Sequence, residues 1–274
     1  MKFRCLENEL GSELNQDPTY VNIDVMAATP WIEGQEKAVF RTDNDKVIIV
    51  PNISISEPSK ALADFYAHKI STGLLPGNLL PVDHVICFPF NPSDYSALLK
   101  KAGLHYAFVA DWVNLGNHAV YVERYYGWLR GRLGCVRDED SWDPAFREEP
   151  VKKHHQRYER NQERISKMVN RAKRLGIELD SHDANVAFID DAILFVEMVT
   201  RNRFDGQKAR KHIMSLQPEQ RRYLTKLLEI YDSFGYSEDM PHLFEPKNRA
   251  LFVEPQYQRY CQRDLPKSVI VRTN

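Results

Sequence analysis

Lys37-Ala38-Val39-Phe40-Arg41-Thr42-Asp43-Asn44-Asp45-Lys46-Val47-Ile48-Ile49-Val50 reads as a β-hairpin, and the first half of the fold follows from it. Lys37 to Thr42 and Lys46 to Val50 are β-branched or apolar runs of strand length, and Asp43-Asn44-Asp45 between them has turn composition. Downstream, Ser56-Glu57-Pro58 opens a helix, with Ser56 as N-cap and Leu62, Phe65 and Ile70 on its buried side. Proline and glycine break the chain from Leu74 to Pro81, and His84 to Phe90 follows as a strand. Asn91-Pro92-Ser93-Asp94 then starts a helix to about Lys101: Asn91 caps, Pro92 suits the first helical position, and Asp94 complements the dipole. Gly103 stops it. His105 to Trp112 and Asn117 to Arg124 read as two more strands around Asn114-Leu115-Gly116. Residues 20 to 125 thus alternate strands and helices, which implies a mixed α/β domain.

The expected fold class is α+β: an N-terminal mixed α/β sheet domain, then a largely helical region and an extended tail. The boundaries fall at an arm (1–20), the α/β domain (21–135), a charged linker with Pro144 and Pro150 (136–150), the helical region (151–235) and the tail (236–274). Three helices are expected in the helical region. The first spans 151 to 175 and ends at Gly176. The second spans about 184 to 202, with Phe188, Ala192, Phe195 and Val199 in step. The third spans 218 to 234, with Leu224, Leu227, Leu228 and Tyr231 apolar and Gly235 as its stop. Ile177 to Leu179, Ala250 to Val253 and Ser268 to Val271 have strand composition.

The first of these helices carries the main functional signal. Its cations fall at Arg157, Arg160, Arg164, Lys167, Arg171 and Arg174, in steps of three and four. On one helix they share a face over roughly 25 Å. Ile165, Met168, Ala172 and Leu175 keep the same spacing on an apolar face. Lys152, Lys153, His154 and His155 extend the positive charge toward the helix start. A solvated face with Glu159 and Glu163 in intrahelical pairs explains such a run without function. Arginine outnumbers lysine in the stripe, however, and arginine suits bidentate phosphate contacts.

Composition bounds the partners. The 274 residues are 43% hydrophobic and 27% charged with a formal charge of −1, so a basic surface must be local. Four separated cysteines (Cys5, Cys87, Cys135, Cys261) form no zinc spacing and no disulfide framework. No metal is expected. The first residues lack the apolar core of a signal peptide, so a cytoplasmic location is expected.

A second constellation is Tyr121 to Arg132, where Tyr125, Tyr126 and Trp128 alternate with Arg124, Arg130 and Arg132. Such rings stack on bases or, more simply, plug a core while the arginines point outward. Catalytic signatures are missing: there is no GxSxG, P-loop, HExxH or GxGxxG. Glu33, Asp111, Asp191 and Glu197 are single carboxylates without an evident partner, and His182-Asp183 reads as a helix cap. No residue is assigned a catalytic role from these patterns.

Asn91-Pro92-Ser93-Asp94-Tyr95-Ser96-Ala97-Leu98-Leu99-Lys100-Lys101-Ala102-Gly103-Leu104 and the order of elements from Lys37 to Arg124 resemble the GNAT superfamily of acyltransferases. Arg157 to Arg203, through Ala172-Lys173-Arg174-Leu175-Gly176-Ile177-Glu178-Leu179 and Phe195-Val196-Glu197-Met198, is similar to the opening of the second domain of Fem-type aminoacyltransferases and lysyl-phosphatidylglycerol synthases. The resemblance implies acyl or aminoacyl transfer to an amine or hydroxyl, with acyl-CoA or aminoacyl-tRNA as donor. Two other classes compete. One is a nucleic-acid-binding protein using the stripe on a phosphate backbone. The other is a non-catalytic interaction subunit that meets an acidic surface.

Overall fold

The chain turns back between Thr42 and Lys46 as the hairpin reading requires. The Thr42 N–H donates to the Lys46 carbonyl at 3.0 Å, and the Lys46 N–H donates to the Thr42 hydroxyl at 3.2 Å. Asp45 takes a φ of 54°, which short polar residues tolerate. The structure is a computed structural model that describes residues 2–4, 20–22, 29–33, 37–42, 45–51, 58–90, 103–134 and 148–234. These residues mix α-helices with small antiparallel sheets, so the fold class is α+β. They belong to two compact units: in the first, the described residues up to 69 and those of 81–112 and 222–234, and, in the second, those of 70–80, 113–134 and 148–221.

In the first unit, β1 (Lys2–Arg4) and β2 (Tyr20–Asn22) pair as a short antiparallel ladder. A five-stranded antiparallel sheet contains β3 (Thr29–Glu33), β4 (Lys37–Arg41), β5 (Lys46–Pro51), β6 (His84–Phe90) and β7 (Gly103–Asp111) in the order β3-β4-β5-β7-β6. Because β7 is antiparallel to both neighbours, β5 and β6 run parallel, and α1 (Pro58–Leu74) is the crossover that such a pair needs. The central strands read as continuous apolar runs because both faces are covered: Val47, Ile48 and Val50 on β5 and Tyr106 to Ala110 on β7 are buried. Ala61 to His68 of α1 are buried in succession, Asp64 and His68 among them, so this part of the helix is enclosed on every side. Leu224, Leu227, Leu228 and Tyr231 of α6 (Pro218–Ser233) are buried at helical spacing, and Phe234 stacks on Tyr66 at 5.9 Å.

The second unit holds α2 (Asn117–Gly134), α3 (Glu149–Arg160), α4 (Gln162–Arg174), a hairpin of β8 (Val186–Ile189) and β9 (Ala192–Phe195), and α5 (Gly206–Ile213). Leu115, Ala187 and Leu194 form a buried cluster with Leu80, Val113, Ala119, Ile189 and Val196 against it. Residues 70–80 join this core: the Phe195 N–H donates to the Asn78 carbonyl at 2.8 Å, and Asn78 Nδ2 donates to the Ile193 carbonyl at 3.0 Å.

Three expectations are corrected here. Asn117 to Arg124 is helical rather than a strand. Its β-branched composition suggests alternation, yet Leu115, His118, Tyr121 and Val122 are buried at helical spacing, and Asn114 Oδ1 accepts the Gly116 N–H to start the turn. The single helix expected from 151 to 175 is two helices. At Asn161 (φ −106°, ψ 7°) the side-chain Nδ2 donates to the Arg157 carbonyl at 2.8 Å, so a local side chain competes with the backbone ladder. The helix expected over about 184 to 202 is the β8–β9 hairpin. Phe188, Ala192, Phe195 and Val199 match a helical period by chance, while Asp190 at φ 48° makes the turn between two apolar runs.

Ile177 contributes one antiparallel bridge, to Phe204, rather than a strand, and the sequence reading did not include α5. Asp205 starts α5 by accepting the Lys208 N–H at 3.0 Å. The helix expected after Asn91, the Ser56 cap, most of the linker and the tail with its two strand runs lie outside the described residues. Among the described residues, no helix is long and apolar enough to cross a membrane.

Candidate anion-binding face and the cluster at Asp183

The break at Asn161 distributes the basic stripe over α3 and α4. Between residues 151 and 174 stand nine cations (Lys152, Lys153, Arg157, Arg160, Arg164, Lys167, Arg171, Lys173 and Arg174) and only Glu159 and Glu163 as acids. Val151 and His154 bury one side of α3, and Ile165 and Ala172 bury one side of α4. Lys152, Lys153, Arg160, Arg164, Lys167, Arg171, Lys173 and Arg174 are exposed.

These cations are not equivalent. Lys153 pairs with Glu149 at 3.4 Å and Lys167 with Glu163 at 2.5 Å, intrahelical pairs of the kind worth roughly 0.5 kcal/mol. Arg157 is half-buried, its guanidinium 5.0 Å from the Phe188 ring centroid. Arg164 donates to Asn161 Oδ1 at 2.7 Å and to the Asp191 carbonyl at 2.9 Å, which ties α4 to the β8–β9 turn. Lys152, Arg160, Arg171, Lys173 and Arg174 have no acidic partner among the described residues.

The stacking candidates fare differently. Tyr125 is half-buried on α2, its ring parallel to Tyr121 at 6.1 Å and tilted against His182 at 5.1 Å. The Tyr121 and His182 rings thus lie beside it. Tyr126 and Trp128 lie farther along α2, and their side chains are outside the described atoms. Of the single carboxylates, Asp111 pairs with Lys46 and Glu197 with Arg203.

A polar cluster that the sequence reading did not assemble lies around Asp183. The Tyr121 hydroxyl donates to the Asp183 carboxylate, and the Tyr158 hydroxyl donates to the Ser181 carbonyl at 2.5 Å. His154 Nε2–H donates to the Asp183 carbonyl at 3.1 Å, and His118 Nε2–H donates to the Ala184 carbonyl at 2.9 Å. His182 Nδ1 accepts the Ala184 N–H at 3.1 Å, so it is a cap as expected, but of the 3-10 turn Asp183–Asn185 rather than of a helix over about 184 to 202. Adjacent His154 and His155 diverge, yet both reach one residue: His154 meets the Asp183 carbonyl, and His155 Nδ1 lies 3.5 Å from its carboxylate.

Burial first, and then the Asp183 hydrogen bond and charge, pushes the Tyr121 phenol far above its ordinary range. Burial and the Asp183 charge also raise Tyr125 and Tyr158. All three hydroxyls therefore stay protonated, and those of Tyr121 and Tyr158 act as donors. The cluster joins α2, α3 and the 180–185 loop, and so it orients the helix that carries Lys152 to Arg160. The signal for it was the spacing of His118, Tyr121 and Tyr125, and of His154 and Tyr158, which is legible only once 117–124 is read as a helix.

Burial lowers the His154 pKa, outweighing the opposing pull of Asp183. The unfolded chain then binds more protons in acid than the folded one. Stability is accordingly full above the ordinary histidine value of about 6.5 and falls as pH drops below it. His154→Gln keeps a donor for the Asp183 carbonyl but cannot charge. Its thermal midpoint is expected to start lower at pH 8 and to fall less steeply toward pH 5 than that of the unsubstituted chain. Parallel curves would assign the acid sensitivity to another group.

Among the described residues, no group of three or more His, Cys, Asp or Glu side chains is placed to hold a metal ion. No protein-family model matches the chain, and no curated protein sequence matches it.

Proposed function

We propose that the outer faces of α3 and α4 bind a phosphate-bearing ligand. The observation that supports this reading is the exposure of Lys152, Arg160, Arg171, Lys173 and Arg174 with no acidic partner among the described residues. A helix whose cations served only solubility would set acids among them, as Glu149 and Glu163 are set beside Lys153 and Lys167. Arginine predominates, and its planar fork suits a phosphate better than an ammonium does.

The test is replacement of Arg160, Arg171 and Arg174 with glutamate. Exposed substitutions of this kind usually change stability by less than about 0.5 kcal/mol each, so the thermal midpoint is expected to hold. Binding of a labelled single strand at low salt, followed by fluorescence anisotropy, is expected to be lost. The unsubstituted chain should weaken steeply as salt rises, because bound phosphates release counterions. Unchanged binding by the variant, or no binding of any phosphate ligand by the unsubstituted chain, would overturn the reading.

A second reading is GNAT-like acyl or aminoacyl transfer to an amine or hydroxyl. It draws support from the succession β4-β5-α1-β6-β7, strands interrupted by a crossover helix. On that reading the basic face holds the phosphates of acyl-CoA or aminoacyl-tRNA. Acetyl-CoA saturating at one molecule per chain and raising the thermal midpoint is the result that favours it.

A further inference from the structure

The basic face continues beyond the helices on which the sequence displays it. Gly176, at φ +82°, ends α4 against the start of α5: a Cβ placed there would lie 2.5 Å from the Asp205 carbonyl oxygen and 2.9 Å from Lys208 Cβ. The Asp205 N–H donates to the Gly176 carbonyl at 2.7 Å, and the Glu178 N–H donates to the Arg203 carbonyl at 2.8 Å. Lys208 therefore stands beside the last turn of α4, where Arg171, Lys173 and Arg174 are exposed. Lys208 and Lys211 share one face of α5 and are exposed, while Ala209 and Ile213 bury the other. Lys208 also pairs with Asp205 at 3.1 Å.

We propose that α5 extends the anion-binding face of α3 and α4, and that the three helices together follow the sugar–phosphate backbone of a nucleic acid across several consecutive phosphates. This rests on the phosphate-binding reading of α3 and α4 given above. Arg164 to Arg174 alone covers about 15 Å of helix, the rise of about four nucleotides in one strand at about 3.4 Å each. The neutral residues exposed among the cations are Gln156, Gln162, Ser166, Asn170 and Gln207, donors of the kind that contact phosphate and sugar oxygens. A helix that lies on a membrane buries large apolar side chains in the lipid, and the exposed faces of α3 and α4 present none. Among the described residues, the large apolar side chains that are exposed are Met214, just past α5, and Tyr223 on α6.

The experiment measures the affinity of the full chain for single- and double-stranded DNA and RNA lengthened stepwise from a dinucleotide. It compares Lys208→Glu with Lys211→Glu in one variant, and Arg160, Arg171 and Arg174→Glu in another. The unsubstituted chain is expected to gain about tenfold or more in affinity as the strand grows past the length that α4 covers. The α5 variant is expected to lose that gain while binding the shortest strands as before. Lys208→Gln with Lys211→Gln, which removes charge without adding repulsion, is expected to lose part of it if the glutamate variant unfolds. If the α5 variants match the unsubstituted chain at every length while the arginine variant has lost binding, the face stops at α4 and the present inference fails alone. If the arginine variant also binds normally, the underlying reading fails. Phosphatidylserine vesicles or polyglutamate bound as tightly as the longest strand would overturn the assignment to nucleic acid.

Discussion

Phe195→Ala is expected to cost about 3–5 kcal/mol of unfolding free energy. Phe195 is only 1% exposed and is among the largest fully buried side chains of the described residues. It ends β9 opposite Val186, donates its N–H to the Asn78 carbonyl, and forms a parallel bridge with Leu79. Its backbone is thus held from two sides, so the surroundings cannot collapse into the space that the ring leaves. A cavity that stays open adds its own cost to the lost transfer free energy. The comparison is Ile189→Val on the same hairpin, where a half-buried side chain loses one methyl and about 1 kcal/mol or less is expected. Urea unfolding of the two variants measures the difference. A loss below about 1 kcal/mol for Phe195→Ala would mean that the hairpin is peripheral to the core of its unit.

Gly176→Ala is expected to destabilise the chain by at least about 2 kcal/mol, well beyond the usual effect of adding a methyl group. Two penalties coincide at this residue. A non-glycine residue at φ +82° costs about 1–2 kcal/mol by itself. The new Cβ would also meet the Asp205 carbonyl oxygen at 2.5 Å, and that backbone atom cannot swing aside as a side-chain tip can. Gly77 isolates the first penalty: its φ is +76° and nothing lies within 4 Å of a Cβ there. Gly77→Ala is therefore expected to cost only about 1–2 kcal/mol. Equal midpoints for the two variants would show that the α4–α5 junction yields to the extra methyl group. In the expected case the Gly176 variant also loosens α5 against α4, and on the proposed nucleic-acid reading the affinity for long strands falls with it.

The two positions differ in how far the sequence reveals them. Gly176 follows a helical run that ends in Arg171, Lys173 and Arg174, so its role as a helix stop is readable from local chemistry alone. The contact that makes it irreplaceable is with Asp205, far along the chain, and no local signal reports it. Phe195 is harder. Phe188, Ala192, Phe195 and Val199 fit a helical period as well as the hairpin fits its own, and short apolar runs leave that choice open. Pairing with Asn78 and Leu79 decides it, since those groups meet β9 in space and not in sequence.

Sequence by itself determined the features that rest on neighbouring residues. The hairpin at Lys37–Val50, the helix from Pro58, the strand at His84–Phe90, the helix from Pro218 and the cap at His182 all depend on turn residues, caps and periodic burial within a few positions. Periodicity also marked the cations of α3 and α4, because a helix converts three- and four-residue spacing directly into a common face. Tertiary structure alone decided the rest. It made 117–134 a helix, because His118 and Tyr121 are buried where they reach Ala184 and Asp183. Next to the local break at Asn161, Arg164 reaches across to the Asp191 carbonyl and so ties α4 to the β8–β9 turn. The Gly176 junction sets Lys208 beside the end of α4. The physical reason is common to all three. An amphipathic segment takes the conformation that buries its apolar face and satisfies its polar groups, and the partners that do so here lie tens of residues away.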